Sequence, residues 1–299
     1  MSQIGLIIRN EYHTDVTSKS FWISTFLVPL IMVAFGAFGG IMMANSDSAM
    51  SVQEQFSPEP EDMTPLKAVG LMMGLMLTLF LMTYGAQIFQ KVKAEKTNRI
   101  VEILATCVPG RTMMLAKIIA VGLVGMTQIL LWGAILFVIV AGVVIVFHID
   151  IPWHEILTYD YVMAIVWSIL YFTGGYIFFG SLFAAVGAMT DKNNENQEYM
   201  TVLTFLLLIC FYVGMYAVDN GDTIFVRILS YIPFTSPIVG AVNAITQTSS
   251  LWESILSVII LYICAWGAMA ISGKLYTSSI LLKGKKFSPK DIVTFIRAK

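Results

Sequence analysis

Charged residues are scarce in this chain. Asp, Glu, Lys and Arg together make up 12% of its 299 residues, whereas soluble globular domains contain about 25%. Hydrophobic residues make up 57%, and they are concentrated in long uncharged runs. This composition excludes a soluble globular domain and predicts an integral membrane protein. The basic residues lie at the ends of the apolar runs and do not form one patch, so we expect no nucleic-acid partner.

Cysteine and histidine are rare as well, with three residues of each. Cys107, Cys210 and Cys264 are far apart and form no Cys-x-x-Cys pair, so the sequence indicates neither a disulfide framework nor a cysteine metal site. The histidines form no H-x-x-x-H or H-E-x-x-H pattern. We therefore expect this chain to bind no metal and no cofactor.

Ionisable residues are missing near the middle of the apolar runs. Ion-coupled transporters and membrane-embedded enzymes need such groups at depth, so both classes are disfavoured. The stretch GAMAISGK at 267–274 resembles a phosphate-binding loop, but five residues separate its glycines instead of four, and Leu275 stands where Ser or Thr would bind Mg²⁺. We therefore expect no catalytic residues and no nucleotide site in this chain.

Six apolar runs are long enough to cross a bilayer, which takes about 20 helical residues. The third exceeds one straight crossing, so it should tilt, extend beyond the membrane or break at a glycine. The predicted fold is an all-α membrane protein with a single transmembrane domain over 1–299. Its predicted spans are about 21–44, 66–89, 112–147, 161–189, 199–217 and 251–275.

The basic residues are distributed unevenly across these spans. With six crossings and the N-terminus inside, every Lys and Arg except Lys67 and Arg227 lies on the inner side. Cytoplasmic loops carry such an excess of basic residues. We therefore predict that both termini are cytoplasmic and that the protein is a multi-pass protein of the plasma (inner) membrane.

Two further segments have an amphipathic pattern. Residues 2–18 place Ile4, Ile8 and Tyr12 at four-residue spacing, which predicts a helix in the interface plane, with a frayed tail as the alternative. Residues 218–250 are too apolar for a solvated loop, yet their apolar pieces are too short to span. An external re-entrant segment over 223–245 is one interpretation, and it requires that protein cover its backbone. A surface helix is the other.

The densest cluster of charge is the segment 91–117, which we call the basic segment. Glu95 precedes Arg99 by four residues, the favoured orientation of a helical ion pair, and apolar residues recur at helical spacing. The dipeptide Pro109-Gly110 should end the element. These features predict a cytoplasmic amphipathic helix over 91–107 whose apolar side must be covered. The cover could be a separate motor protein or anionic lipid headgroups.

The basic segment resembles the coupling segment of ABC-2 type permeases, especially the Nat-type sodium-efflux branch. The family pattern is E-K-x-x-R-x-x-E-x-L followed by a lysine that enters the next span. The opening RNEYHTDVTSKSFWISTFLVPL and the external stretch YIPFTSPIVGAVNAI resemble the same family. The matching residues are Glu95, Lys96, Arg99, Glu102, Leu104 and Lys117 in the basic segment, and Pro233, Ser236 and Pro237 in the external stretch.

This resemblance implies the permease subunit of an ATP-driven exporter. An ABC ATPase subunit would dock on the 91–107 helix and hydrolyse ATP, and a second permease, identical or related, would pair with this chain in the lipid membrane. The transported substrate could be sodium, a lipid, a peptide or a drug. A non-transporting integral membrane partner or sensor subunit is the alternative from another class.

Overall fold

The computed structural model describes residues 3–19, 21–27, 29–30, 65–97, 109–147, 159–190 and 198–281. These residues form helices and short turns, with no strand among them. Residues 21–27 and 29–30, at the start of predicted span one, are helical. The longer helices are α1 (Gln3–Val16), α2 (Pro65–Thr97), α3 (Gly110–Phe147), α4 (Tyr159–Met189), α5 (Glu198–Asn220), α6 (Ile224–Tyr231), α7 (Ser236–Ile245) and α8 (Leu251–Leu281).

Five of these helices, α2 to α5 and α8, are long and apolar enough to cross a membrane. The all-helical fold is therefore confirmed for the described part of the chain. Most of predicted span one, residues 31–44, lies outside the described residues. The sixth crossing and the cytoplasmic location of the termini stay predictions.

Helix α2 is longer than the predicted span. The sequence predicts that span two ends at 89 and that a separate helix begins at 91, but α2 continues without a break to Thr97. The reason is local, because no glycine or proline occurs between Gly85 and Pro109, and Lys, Ala and Glu are strong helix formers. The first part of the basic segment is thus the end of a membrane helix, and residues 98–108 lie outside the described residues.

Helix α3 is also continuous over 38 residues, from Gly110 to Phe147. Of the three possibilities for this long run, a break at a glycine is therefore wrong, since α3 remains helical through all four of its internal glycines. Its first turn begins directly after Pro109, whose carbonyl oxygen accepts hydrogen bonds from the amides of Thr112 and Met113. The Pro109-Gly110 dipeptide thus starts α3.

Helices α2 and α3 are antiparallel. Near the end of α2, Glu95 contacts Lys117, and about three turns higher Tyr84 contacts Gln128. The residue numbers rise along one helix as they fall along the other. The two helices therefore cross the predicted membrane in opposite directions, as the charge distribution requires.

Helices α2 and α4 run in the same direction and pack closely. A Cβ atom on Gly85 would lie 2.3 Å from the Phe183 ring, and one on Gly187 would lie 2.8 Å from the Phe89 carbonyl oxygen. Both contacts join residues with the same separation in sequence, which indicates a parallel pair in constant register. Glycines at these two positions let the helices approach.

Helix α8 is antiparallel to α3. Gly110 at the start of α3 lies against Thr277, and the hydroxyl of Ser272 contacts the sulfur of Met114 at 3.2 Å. Helices α4 and α8 therefore run in the same direction. The end of α4 and the start of α8 therefore lie at opposite ends of the bundle. Helix α5 crosses the bundle once and connects them.

Helices α6 and α7 form a hairpin between α5 and α8. Its two ends meet, because a Cβ on Gly221 would lie 2.3 Å from the Thr248 hydroxyl oxygen. At its tip, the Phe234 ring lies 5.1 Å from that of Phe178, and the Phe234 carbonyl accepts a hydrogen bond from the Cys210 thiol at 3.3 Å. Cys210 lies ten residues before the end of α5, or about 15 Å along the helix. The hairpin thus enters and leaves the bundle at the same end.

The N-terminal segment packs along α3. Glu11 contacts Lys117, and farther along the chain Ser24 contacts Gln128. These contacts join residues of nearly equal separation, so this segment and α3 run in the same direction. The helix predicted over 2–18 is confirmed and the frayed tail is wrong, whereas its position in the interface plane stays a prediction.

Candidate functional site

Lys117 is a buried cation on the first half of α3, with 3% of its side chain exposed. Its Nζ lies 2.9 Å from Oε1 of Glu11 on α1 and 2.6 Å from Oε1 of Glu95 on α2. The flanking residues Ala116 and Ile118 are also buried. One ammonium group therefore joins the carboxylates of two other helices.

Lys91 on α2 is the second cation of this region. It forms ion pairs with Glu11 and with Asp15, and its Nζ lies 2.7 Å from Oδ2 of Asp15. The two carboxylates lie four residues apart on α1 and therefore on the same face of that helix. Glu11 consequently bridges two lysines, with Oε1 on Lys117 and Oε2 on Lys91.

A tyrosine from α8 completes the arrangement. The hydroxyl of Tyr276 donates a hydrogen bond of 2.7 Å to Oε2 of Glu95, whose Oε1 already accepts from Lys117. Four helices meet at these side chains. We call the set of six the charge cluster: Glu11, Asp15, Lys91, Glu95, Lys117 and Tyr276.

The electrostatic balance of the charge cluster favours the ionised form of Glu11. Burial by itself raises the pKa of Glu11, but the charge of Lys117 and the hydrogen bonds from Lys91 and Lys117 outweigh it. The pKa of Glu11 consequently lies below its ordinary value of 4.5. Removing one member of such a buried set leaves an uncompensated charge, which costs more than an exposed ion pair is worth.

A cavity of about 240 Å³ opens beside the charge cluster, between α1, α2 and α3. Apolar and polar side chains share its wall. Among the described residues, no group of three His, Cys, Asp or Glu side chains could hold a metal ion. The cavity is lined by Leu6, Ile7, Asn10, Glu11, Glu95, Met113 and Lys117.

The structure brings together two of the six residues predicted in the basic segment, Glu95 and Lys117. Lys96 belongs to the last turn of α2. Arg99, Glu102 and Leu104 lie outside the described residues, and so does the predicted ion pair of Glu95 with Arg99. The role of these residues in coupling stays a prediction.

Sequence reasoning missed the partners of Lys117 on other helices. Glu11 and Asp15 lie in the helix predicted over 2–18, where the sequence assigns them no partner, and Tyr276 lies one residue beyond predicted span six at 251–275. The available signal was the pair of acids at four-residue spacing on the basic side of the protein. Such a pair on a predominantly basic surface indicates local lysine partners, although it does not say which ones.

The residues predicted in the external stretch lie in the hairpin. Pro233 is in the turn before α7, and Ser236 and Pro237 form the first turn of α7, where both are buried. The Ser236 hydroxyl is 2.9 Å from that of Ser257 on α8, and a Cβ on Gly175 of α4 would lie 2.5 Å from Pro237. Most of α7 is covered by protein, so an exposed surface helix is wrong for this half of the segment.

A second polar contact lies within the membrane helices. Gln128 on α3 has 6% of its surface exposed, accepts a hydrogen bond from the Tyr84 hydroxyl, and donates one of 3.0 Å to Ser24. Gln128 is not an ionisable residue, so the charge pattern of the sequence gives no signal at this position. This amide joins α2, α3 and the start of span one.

Comparison with known proteins supports the resemblance to the ABC-2 family, and the Nat-type branch stays a prediction. A family model described as "ABC-2 family transporter protein" matches residues 51–274, more than half of the chain. The uncharacterized protein YhaP of Bacillus subtilis (strain 168) is 23% identical over 234 residues, which cover 77% of this chain and 56% of YhaP. The uncharacterized protein MJ1024 of Methanocaldococcus jannaschii is 23% identical over 209 residues, which cover 70% of this chain and 49% of MJ1024.

This chain thus spans about half the length of the curated relatives it matches. No solved structure shows a significant match. The family match, together with five helices that are long and apolar enough to cross a membrane, shows that the chain is an integral membrane protein that belongs to the ABC-2 family of transporter proteins.

Proposed function

We propose that this chain is the permease subunit of an ATP-driven exporter and that a separate ABC ATPase subunit docks on residues 91–107. The family membership supports a permease. The observation that carries the docking proposal is the continuation of α2 to Thr97, where Glu95 meets Lys117 of α3. A force applied beyond the end of α2 therefore acts on a rigid helix that is already bonded to its neighbours.

The charge cluster supplies the path for this force. Glu95 holds Lys117 on α3 and Tyr276 on α8, so a displacement of the end of α2 pulls on both helices. Because the buried ion pairs resist separation, the helix ends move together rather than one at a time. In this mechanism, ATP binding and hydrolysis in the partner move the cytoplasmic ends of α2, α3 and α8 as one body.

The proposal also covers the topology, the second permease chain and the substrate. The permease has six spans with cytoplasmic termini in the plasma (inner) membrane, and the α6–α7 hairpin is re-entrant from the outer side. Its contact with Cys210 and the meeting of its ends at Gly221 support this location. A second permease chain, identical or related, pairs with this one. Similarity of the basic segment to Nat-type permeases makes sodium one candidate substrate, beside lipids, peptides and drugs.

Two substitutions in the basic segment test the docking proposal. Arg99→Ala and Glu102→Ala should each reduce the ATPase activity that the permease elicits from its co-purified ATPase subunit in liposomes, because both change the proposed contact surface. Insertion into the membrane should be unaffected. Arg227→Ala, on the predicted outer side, is the matched control. Equal stimulation by all variants, or a native complex without an ATPase subunit, would refute the proposal.

A further inference from the structure

We propose that Glu11 is a positioning residue for coupling: it holds α1 and the start of span one on α3, so that both follow the movement of α2. This inference rests on the proposed function and adds a second moving element to it. The docking proposal concerns residues 91–107 and assigns no role to α1. In this arrangement the N-terminal helix is a working part of the coupling apparatus.

The geometry of Glu11 is the first step of the argument. Its two carboxylate oxygens bind two cations on different helices, Lys91 on α2 and Lys117 on α3. Asp15 adds a second contact to Lys91 one turn later on the same face of α1. Through these three contacts, α1 is attached to α2 and α3, two of the helices that the ATPase is proposed to move.

Apolar packing and ion pairs both attach α1 to the bundle. Ile7, Tyr12 and Val16 pack against the main hydrophobic core, and a cavity of about 240 Å³ lined by Leu6 and Met113 opens beside the ion pairs. The bonds from Glu11 add fixed, charged partners on α2 and α3 to this packing.

Two hydrogen bonds extend the attachment toward the membrane interior. The hydroxyls of Tyr12 and Thr127 are 2.9 Å apart, and Gln128 binds Ser24 at 3.0 Å. Since the described residues before 28 follow α3 in one direction, these contacts and Glu11 lie along one line on α3. Several attachment points along this line hold α1 on α3, and Glu11 and Asp15 connect it to the end of α2.

The test uses the full-length permease in liposomes with its co-purified ATPase subunit. Glu11→Gln removes the charge with little change of shape and should lower the stimulated ATPase activity at least about fivefold, the lower end of typical coupling between sites. Glu11→Asp keeps the charge but shortens its reach, and should give an intermediate value. Glu198→Gln, an exposed carboxylate on the predicted cytoplasmic side, is the matched control and should equal the parent.

A covalent tether distinguishes positioning from a direct contact with the ATPase. Ile7→Cys and Met113→Cys, in a background without the native cysteines, place two thiols on the wall of the same cavity. Joining them with a short thiol-reactive crosslinker should restore the stimulation lost in Glu11→Gln, because the crosslink replaces the attachment of α1 to α3. The same variant without crosslinker should remain impaired.

Three results would overturn the inference. Stimulation by Glu11→Gln equal to that of the parent would show that the attachment is not needed. A crosslinked variant that stays impaired would show that Glu11 acts in another way. A crosslink that inhibits the parent would show that α1 must slide on α3. Failure of the proposed function looks different, since the parent itself would then stimulate no ATPase.

Discussion

Replacement of Lys117 by methionine is the most direct probe of the charge cluster. Methionine keeps most of the length of the lysine side chain but removes its charge, so the carboxylates of Glu11 and Glu95 lose their shared cation. Lys117 is 3% exposed, and its ammonium group is bound by the two carboxylates. We therefore expect a large loss of stability in Lys117→Met.

The magnitude follows from the two ion pairs. At an effective dielectric constant of about 20, two unit charges about 4 Å apart attract each other by about 4 kcal/mol, and the cost of desolvation offsets much of this. Removing one partner of a buried pair costs about 3–5 kcal/mol. Because Glu11 and Glu95 keep 22% and 19% of their side chains exposed, we expect the lower end of that range, about 3 kcal/mol.

Thermal unfolding of the purified protein in detergent measures this loss. The matched control is Lys67→Met, which removes a lysine whose pair with Asp219 has exposed fractions of 28% and 48%. An exposed pair contributes about 0–1 kcal/mol, so Lys67→Met should leave the Tm almost unchanged. Lys117→Met should lower the Tm by several degrees.

A triple variant tests whether unpaired carboxylates cause the loss of stability. Adding Glu11→Gln and Glu95→Gln to Lys117→Met removes the uncompensated carboxylates, and part of the lost stability should return. Equal Tm values for Lys117→Met and Lys67→Met would refute the claim that the buried pairs stabilise the fold. A triple variant less stable than Lys117→Met would refute the assignment of the loss to unpaired charge.

Three further predictions concern other parts of the protein. The pKa of Glu11 is lowered in the folded state, so the ionised carboxylate stabilises the protein fully above pH 4.5. This stabilisation is lost as the pH falls through the lowered pKa. The difference in Tm between the parent and Glu11→Gln should therefore shrink in acid. Gly175→Ala forces a methyl group against the first turn of α7 and should cost about 1–3 kcal/mol in unfolding measurements, whereas Gly133→Ala, with nothing within 4 Å, should be neutral or slightly stabilising. A membrane-impermeant maleimide added from outside should label Ile224→Cys, which is 77% exposed, and spare Ile238→Cys, which is buried; equal labelling would contradict a re-entrant hairpin.

Part of the candidate site was recognisable in the sequence. Glu95 and Lys117 lie in one short segment whose charge and spacing resemble a known family, and both belong to the charge cluster. Glu11 and Tyr276 were not recognisable, because they lie on helices about 80–180 residues away in sequence from Glu95, and no local pattern connects them. Side-chain contacts between distant elements depend on helix packing, and sequence periodicity does not contain that information.

The boundary of α2 shows a different kind of error. The change from apolar to charged residues near 90 was interpreted as the end of a helix, although it marks only the expected end of the hydrophobic region. Lys, Ala and Glu are good helix formers in water, so the helix continues where the apolar run ends. Hydropathy predicts where the hydrophobic region ends. The end of the helix depends instead on the helix propensity of the following residues and on the next glycine or proline.

The sequence by itself determined that this protein is helical and lies in a membrane, and it predicts that the basic segments lie on one side. These properties depend on how each short stretch interacts with a bilayer, and a stretch of about 20 residues carries that information locally. Tertiary structure decided which charges pair, that α1 is attached to α3, and that α7 is buried among other helices. Those outcomes depend on packing between segments far apart in the chain, where glycines permit close approach and buried cations require carboxylate partners.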